Sequence, residues 1–350
     1  NAATLDSPLK FSNISTDDGL SQSYVFSVTQ DKQGFIWIAT EDGLNRYDGK
    51  NFVHYRHNVS DAHSIADNFI RKVFIDSSGV LWVGTQKGLS RYNQDHDNFD
   101  NYLASNDNNK SLRDNVVWEI YQDHQNVLWI STAQGLHKFD RKQNNFERIE
   151  IPNSTIQLTE IRSFFQDNNN NYWIGTYDQG IYIANTKFTY AIPLNQKNKW
   201  NLAIPAKSLF DIKKIDQQYW LATEQGLYIV SNNYQLTKHF TTISTGQKLL
   251  SNEIRSIERF DDSHVWLGTK NGLNIIDLLN DKLQSYQSNA KPNSLSENWI
   301  LTIFKDRANN MWLGNLATGL DKYNPVTSLF QHKLSQHKNK KVTINSFAQT

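Results

Sequence analysis

The sequence contains no cysteine among its 350 residues, which excludes disulfide bonds and thiolate metal ligands. No apolar run approaches the roughly 20 residues that a membrane-spanning helix requires. The 36 basic and 35 acidic residues leave a formal net charge of +1, so no field of one sign attracts nucleic acid or a membrane surface. We therefore expect no nucleic-acid partner and no direct membrane insertion of this segment.

Catalytic and cofactor motifs are also missing. The sequence has no HExxH, GxSxG, Walker-type GxxxxGK[ST] or GxGxxG pattern. Its ten histidines are scattered, without the clustering that a metal site needs. These absences predict a protein that is not an enzyme and has no cofactor, no catalytic residue and no metal site.

What the sequence does contain is an internal repeat. Seven tryptophans recur at intervals of 44 to 47 residues, and each is the first residue of a short motif such as WIAT, WVGT or WLGT. The departure is WLGN in the last copy. A fixed period of this length predicts copies of one supersecondary unit. The repeat centres are Trp37, Trp82, Trp129, Trp173, Trp220, Trp266 and Trp312.

One repeat has the pattern of four short strands. In the first copy, aromatic and β-branched runs cover Val25 to Gln30, Phe35 to Ala39, Leu44 to Tyr47 and Asn51 to Tyr55, with turn residues between them. The dipeptide Asp48-Gly49 is a strong hairpin signal. Four antiparallel strands per repeat are typical of a propeller blade. The predicted fold class is all-β, a seven-bladed β-propeller.

The repeats account for most of the chain. We assign residues 9–334 to the propeller, residues 1–8 to an N-terminal extension, and residues 335–350 to a connector and the start of a further, truncated repeat. Two segments compete to complete the seventh blade. They are Leu9 to Ile14 and Leu329 to Leu334.

An aspartate lies six residues before the tryptophan in five repeats, followed three residues later by Gly or Asn. This spacing favours a tight turn held by bonds from the carboxylate to the backbone, rather than a calcium or catalytic site. Because the tryptophans repeat in all seven units, we expect them to form the core between blades rather than a sugar-stacking surface. The aspartates are Asp31, Asp76, Asp123, Asp167 and Asp306.

These phrases resemble the two-component regulator propeller repeat. The first three copies are DKQGFIWIATEDGLNRYD, DSSGVLWVGTQKGLSRYN and DHQNVLWISTAQGLHKFD. The resemblance implies a periplasmic propeller, with the signal peptide outside this segment. In that family, a β-sandwich, a membrane helix and a cytoplasmic histidine kinase or diguanylate cyclase follow. The output type lies outside this sequence.

Ligand sites need different residues at equivalent places, whereas the core needs the same residue seven times. The positions at the start of each inner strand vary in this way and border the predicted channel mouth. Arginine and tryptophan there favour an anionic or sugar-like ligand. The alternative is simple pairing of Arg162 with Glu160 and of Arg255 with Glu253. The candidate ligand-binding residues are Tyr24, Phe69, Arg71, Trp118, Glu160, Arg162, Glu253, Arg255 and Trp299.

We interpret the chain as a non-catalytic sensor propeller of a two-component-type receptor. Its expected partners are an unidentified small molecule or oligosaccharide and the downstream signalling domains of the same polypeptide, with a homodimer as one arrangement. Two alternatives remain open. One is a polysaccharide-acting enzyme using Glu160 with Glu253, or Asp211 with Glu119. The other is an interaction scaffold that binds through its rim.

Overall fold

The computed structural model describes residues 9–152, 156, 158–195 and 198–328. Within them, 28 strands form seven four-stranded antiparallel sheets. The sheets are the blades of a closed ring, so the predicted seven-bladed propeller is confirmed. The predictions for residues 1–8, for residues 335–350 and for an outer strand at Leu329 to Leu334 lie outside the described residues.

Every blade has the same strand order from the channel outward. The inner strands are β2 (Val25–Gln30), β6 (Ile70–Ile75), β10 (Val117–Gln122), β14 (Ile161–Gln166), β18 (Leu209–Ile215), β22 (Ile254–Arg259) and β26 (Ile300–Lys305). The second strands, which carry the tryptophans, are β3 (Ile36–Thr40), β7 (Leu81–Thr85), β11 (Leu128–Thr132), β15 (Asn171–Thr176), β19 (Gln218–Thr223), β23 (His264–Thr269) and β27 (Met311–Asn315).

The outer half of each blade completes the sheet. The third strands are β4 (Gly43–Tyr47), β8 (Gly88–Asn93), β12 (Gly135–Asp140), β16 (Ile181–Asn185), β20 (Gly226–Ser231), β24 (Gly272–Asp277) and β28 (Leu320–Tyr323). The outer strands are β5 (Phe52–Tyr55), β9 (Asn98–Tyr102), β13 (Asn145–Ile149), β17 (Ala191–Pro193), β21 (Leu236–Phe240), β25 (Lys282–Tyr286) and, for the seventh blade, β1 (Phe11–Ile14).

Helix is nearly absent. One 3₁₀ turn covers Thr16–Asp18, and α1 (Pro325–Ser328) follows the last strand. No helix in the described ranges has both the length and the apolar character needed to span a bilayer.

The ring closes by pairing the two ends of the described chain. Strand β1 runs antiparallel to β28, with Phe11 opposite Tyr323 and Ile14 opposite Leu320. Phe11 is buried against the ring of Trp266, with the ring centroids 6.3 Å apart. The N-terminal candidate, Leu9 to Ile14, therefore supplies the fourth strand of the seventh blade. Closure in this way pairs the outer edge of β28 and gives the seventh blade its fourth strand.

The repeated tryptophans lie between the blades. Each of the seven is at most 4% exposed, and Trp37 of the first blade packs with Ile70 and Val83 of the second. A ring of this size removes 150–250 Å² from water, worth about 4–6 kcal/mol before ordering entropy is subtracted. The prediction that these side chains form the interblade core is confirmed.

The repeated aspartates organise the turn before each tryptophan. In the first blade, Asp31 Oδ1 accepts hydrogen bonds from the backbone N–H groups of Gly34 (2.9 Å) and Phe35 (3.0 Å). At the other four aspartates, Oδ1 accepts the backbone N–H groups of the residues two and four positions later. The predicted backbone role is confirmed. The second carboxylate oxygen has a further role, because it accepts the indole N–H of the tryptophan six residues later.

Candidate functional site at the channel mouth

A β-bulge interrupts the pairing of every inner strand at its second residue. In β2, the register shifts between Val25 and Ser27, and the same shift occurs in the other six blades. Bulges re-aim side chains and often lie beside functional sites. The seven bulged residues are Phe26, Arg71, Trp118, Arg162, Phe210, Arg255 and Leu301, which all line the central channel.

The predicted residues converge on this channel. It has a volume of about 810 Å³ and receives side chains from all seven blades. Six of the nine candidates line it, and the other three lie next to lining residues. The lining candidates are Tyr24, Arg71, Trp118, Arg162, Arg255 and Trp299, and the adjacent ones are Phe69, Glu160 and Glu253.

In blades two to four, the guanidinium groups of two arginines pack against the ring of one tryptophan. The guanidinium carbon of Arg71 lies 3.7 Å from the ring centroid of Trp118, and that of Arg162 lies 3.1 Å from it. Arg71 also donates from Nε to Oε1 of Gln86 at 2.8 Å. Arg162 lies over the ring of Tyr177 at 4.7 Å. Guanidinium groups favour such aromatic faces, so the indole holds both cations in place.

Among the described residues, Arg162 forms no ion pair, and its buried Nε has no hydrogen-bond partner. The predicted alternative, pairing with Glu160, is therefore wrong for this arginine. The two glutamates differ locally: Glu160 has a left-handed backbone (φ 47°) and Glu253 does not, although the carbonyl of each accepts a backbone N–H of the following loop. Such a conformation is uncommon outside glycine and is found at functional sites.

Blade six is different. Arg255 donates from Nε to Oε1 of Glu253 at 2.8 Å, and its Nη2 contacts the same oxygen. Lys270 lies 3.5 Å from the other carboxylate oxygen and 4.7 Å over the ring of Trp299. The predicted pairing of Arg255 with Glu253 is confirmed. On this side of the mouth, two cations share one carboxylate.

Aromatic side chains cover the wall between blades one and two. The rings of Tyr24 and Phe26 stack at 4.5 Å, and Phe26 meets Phe69 at 5.1 Å. Burial raises the pKa of Tyr24, as does the carboxylate of Glu41, while Arg255 and Arg71 oppose the shift. This wall is apolar and uncharged at neutral pH.

Partial burial lowers the pKa of both unpaired arginines to about 10. For Arg162, the nearby charge of Arg71 lowers the pKa further, whereas Glu160 opposes the shift. Both guanidinium groups remain protonated at neutral pH. Two neighbouring cations that repel one another therefore lie in a partly desolvated mouth.

Deeper in the channel, cations and carboxylates pair across neighbouring inner strands. Lys72 contacts Glu119 at 2.7 Å, and Lys213 contacts Glu258 at 3.6 Å. The pKa of Glu119 and of Glu258 is raised, because the effect of burial outweighs the opposite effect of the adjacent lysine. Asp211 accepts the backbone N–H of Ile257 at 2.8 Å and raises the pKa of Lys213. These ion pairs cross-link the inner strands and narrow the channel below the mouth.

Sequence reasoning missed some of these residues. Lys72, Lys213 and Glu258 were not predicted, although charged residues inside otherwise apolar inner strands were a signal for channel-facing positions. Gln86 and Lys270 lie in the loops joining the second and third strands, which vary between repeats. The sequence did not show that Gln86 would accept from Arg71, or that Lys270 would lie beside the carboxylate that binds Arg255.

The sequence matches the family model described as two component regulator propeller. The matches cover residues 19–42, 64–87, 111–134, 155–178 and 294–317. The two repeats outside these matches are those centred on Trp220 and Trp266, which lack the turn aspartate. A segment of 52 residues is 48% identical to Histidine kinase P4 of Formosa agariphila, covering 15% of this chain and 4% of that protein.

Solved structures share the fold. The extracellular domain of a putative hybrid two component system from B. thetaiotaomicron is 28% identical, with a TM-score of 0.79 over 90% of this chain and 42% of that one. The extracellular domain of a putative one component system from the same organism is 22% identical, with a TM-score of 0.70 over 93% of this chain and 42% of that one. This chain thus spans less than half the length of these solved chains.

The family model, the repeat period and the closed ring agree with one another. Five matched repeats lie in phase with the seven structural blades. The chain thus contains five matches to the two component regulator propeller repeat within a ring of seven blades.

Proposed function

We propose that this propeller is the extracytoplasmic sensor region of a two-component-type signalling receptor, that it is not itself catalytic, and that the channel mouth binds its ligand. The observation that carries the proposal is the bulge in all seven inner strands. It presents a structurally repeated position whose residues differ from blade to blade. A repeated core does not need such variation, whereas a ligand site on a symmetric ring does.

Similarity to the extracellular domain of a hybrid two component system supports the extracytoplasmic placement. In a bacterium with an outer membrane, an extracytoplasmic region of this kind would lie in the periplasm. A stiff ring of packed blades changes little internally. We therefore expect a ligand to act by favouring one arrangement of the propeller relative to the rest of the receptor, or to a second copy.

One carboxylate of each catalytic pair considered, Glu253 and Glu119, is engaged by cations, which argues against the enzyme alternative. Glu253 binds Arg255 and Lys270, and Glu119 binds Lys72. A glycosidase needs one carboxylate free to act as nucleophile or base and a second held as the acid. This arrangement instead favours recognition without turnover.

The test uses the full-length receptor in the organism that encodes it. Deleting the gene defines the transcripts that the receptor controls. Combined Arg71→Ala, Arg162→Ala and Arg255→Ala substitutions should reproduce the transcript pattern of the deletion, while the purified chain still melts cooperatively.

The matched control carries Arg56→Ala, Arg91→Ala and Arg113→Ala, three surface arginines paired with Asp42, Asp100 and Glu150. It should regulate as the wild type does. Normal regulation by the mouth variant would contradict the proposal. Loss of regulation in the control alone would favour binding through the rim, and product release from any polysaccharide by the purified chain would favour an enzyme.

A further inference from the structure

We propose that one side of the channel mouth, formed by Arg71, Trp118 and Arg162, is a subsite for an anionic group of the ligand, a carboxylate, sulfate or phosphate. The inference rests on the proposed function and names the chemistry recognised by the same mouth. It assigns anion binding to blades two to four and excludes Arg255 from this role.

The ring of Trp118 packs against the two arginines, so we do not expect it to stack on a sugar ring. Its ring carries the guanidinium carbons of Arg71 and Arg162 at 3.7 and 3.1 Å, so the face that a sugar would need is occupied. The indole Nε1 is buried without a hydrogen-bond partner among the described residues. The tryptophan is therefore a platform that orients guanidinium N–H donors.

Both arginines have N–H donors that form no hydrogen bond within the described residues. Each guanidinium has five N–H donors and no acceptor. The hydrogen bonds of Arg71 go to the neutral Gln86 amide oxygen, and in the described part of the chain neither Arg71 nor Arg162 has a carboxylate within ion-pair distance. Two adjacent cations in a partly desolvated mouth repel one another. An anion accepting from both would offset this repulsion and form charge-assisted hydrogen bonds.

Arg255 provides the internal comparison. Its guanidinium is already bound to Glu253, and Lys270 lies near the same carboxylate. An anion would have to displace Glu253 to bind there. The opposite side of the mouth therefore also has an arginine, but its guanidinium group is not available to an anion in the same way.

The edge of the proposed subsite also has room for the rest of a ligand. Tyr177 is 46% exposed, and its ring lies 4.7 Å from the guanidinium carbon of Arg162. This tyrosine belongs to the loop after β15, which contains one residue more than most equivalent loops. An apolar or sugar ring attached to the anion can pack against it.

The experiment follows the side-chain Nε–H signals of arginine in the purified chain, labelled with nitrogen-15 arginine. Sulfate, phosphate and acetate are the probes, each titrated against chloride at constant ionic strength. Arg71→Lys and Arg162→Lys variants assign the two signals. We expect saturable shifts of the Arg71 and Arg162 signals with at least one probe, and smaller shifts at Arg255.

Arg162→Ala should weaken anion affinity by about tenfold or more, because it removes charge-assisted hydrogen bonds. Arg91→Ala, at a surface arginine paired with Asp100, is the matched control and should change the affinity by less than about threefold. Shifts that do not saturate with any probe, or that centre on Arg255, overturn the inference.

The two proposals fail separately. If no anion binds but the triple mouth variant abolishes receptor regulation, the sensor site stands and its ligand is neutral. If anions bind at Arg71 and Arg162 but the triple variant regulates normally, the subsite exists and the proposed signalling role of the mouth is wrong.

Discussion

The indole N–H of Trp37 donates to Oδ2 of Asp31 at 2.7 Å, while the other carboxylate oxygen accepts two backbone N–H groups of the intervening turn. One side chain thereby joins the hairpin turn to the interblade core. The same contact occurs in five blades. In blades five and six the aspartate is missing, and the buried N–H groups of Trp220 and Trp266 have no hydrogen-bond partner in the described part of the chain.

Asp31→Ala should lower the free energy of unfolding by about 3 kcal/mol. The substitution leaves a buried indole N–H and two turn N–H groups without their acceptor, and each unsatisfied buried donor costs about 1–3 kcal/mol before relaxation and water entry. Urea denaturation followed by tryptophan fluorescence measures the change. Asp262→Ala, at a fully exposed side chain in the sixth-blade turn, is the control and should change stability by less than about 0.5 kcal/mol. Equal losses in both variants would contradict the role assigned to Asp31.

Trp220→Phe should be better tolerated than Trp37→Phe. Both rings are almost fully buried, at 2% and 1% exposure, so the loss of packing is similar. Only the Trp37 substitution also removes a hydrogen bond and leaves a carboxylate oxygen without its donor. We expect a difference of about 1–2 kcal/mol in the free energy of unfolding, measured by urea denaturation followed by circular dichroism. A larger loss for Trp220→Phe would show that the indole bond contributes little.

His137 should make the protein less stable in acid. Burial lowers its pKa from 6.5 to about 4, and its Nε2 accepts the backbone N–H of Arg113 at 2.9 Å. Because the unfolded chain binds the proton more readily, the neutral imidazole contributes stability above pH 6.5 that is lost as the pH falls towards 4, about 3 kcal/mol in all.

His137→Asn should remove this part of the pH dependence. Asparagine already occupies the equivalent positions in two other blades, where Asn45 and Asn274 accept the corresponding backbone N–H groups. Urea denaturation at pH 7 and at pH 4.5 should show a smaller difference for this variant than for the wild type. His96→Asn, at an exposed site, should keep the wild-type difference. An unchanged pH dependence in His137→Asn would assign the acid sensitivity to other groups.

A disulfide across the closing strands should stabilise the ring. Ser12 and Lys322 are paired in the β1–β28 register, and the chain has no native cysteine to compete. Ser12→Cys with Lys322→Cys would close a loop of nearly the whole chain, for which the entropy model gives about 6 kcal/mol as an upper value. Thermal melting with and without reductant measures the gain. The reduced protein is its own control, and no gain on oxidation would contradict closure through this pair.

The seven-bladed fold was predictable because the same physical demand occurs seven times. A tryptophan must be buried between blades in every repeat, and in five repeats a glycine or asparagine accepts a left-handed turn before it, so each repeat carries a recognisable pattern. The indole–aspartate bond was not predicted, although both residues were identified at their constant separation of six. Spacing along the chain does not show which carboxylate oxygen meets which donor.

The candidate site was predictable as a set of positions but not as a set of contacts. Arg71, Arg162 and Arg255 occupy one column of the repeat and look equivalent in sequence. In the structure only Arg255 has a carboxylate partner within ion-pair distance. The bulge is common to all three blades. Arg71 has Phe69 rather than a glutamate two residues before it, and the left-handed backbone of Glu160 distinguishes Arg162 from Arg255.

By itself, the sequence determined the number of blades, the strands in each blade and the residues of the interblade core, since periodicity and burial are properties of every single repeat. Only the tertiary structure decided that β1 closes the ring and that two of the three arginines are left without a carboxylate. The physical reason is that closure joins residues far apart in the chain, and that pairing of an arginine with a glutamate two residues away depends on a backbone conformation that the repeat pattern does not record.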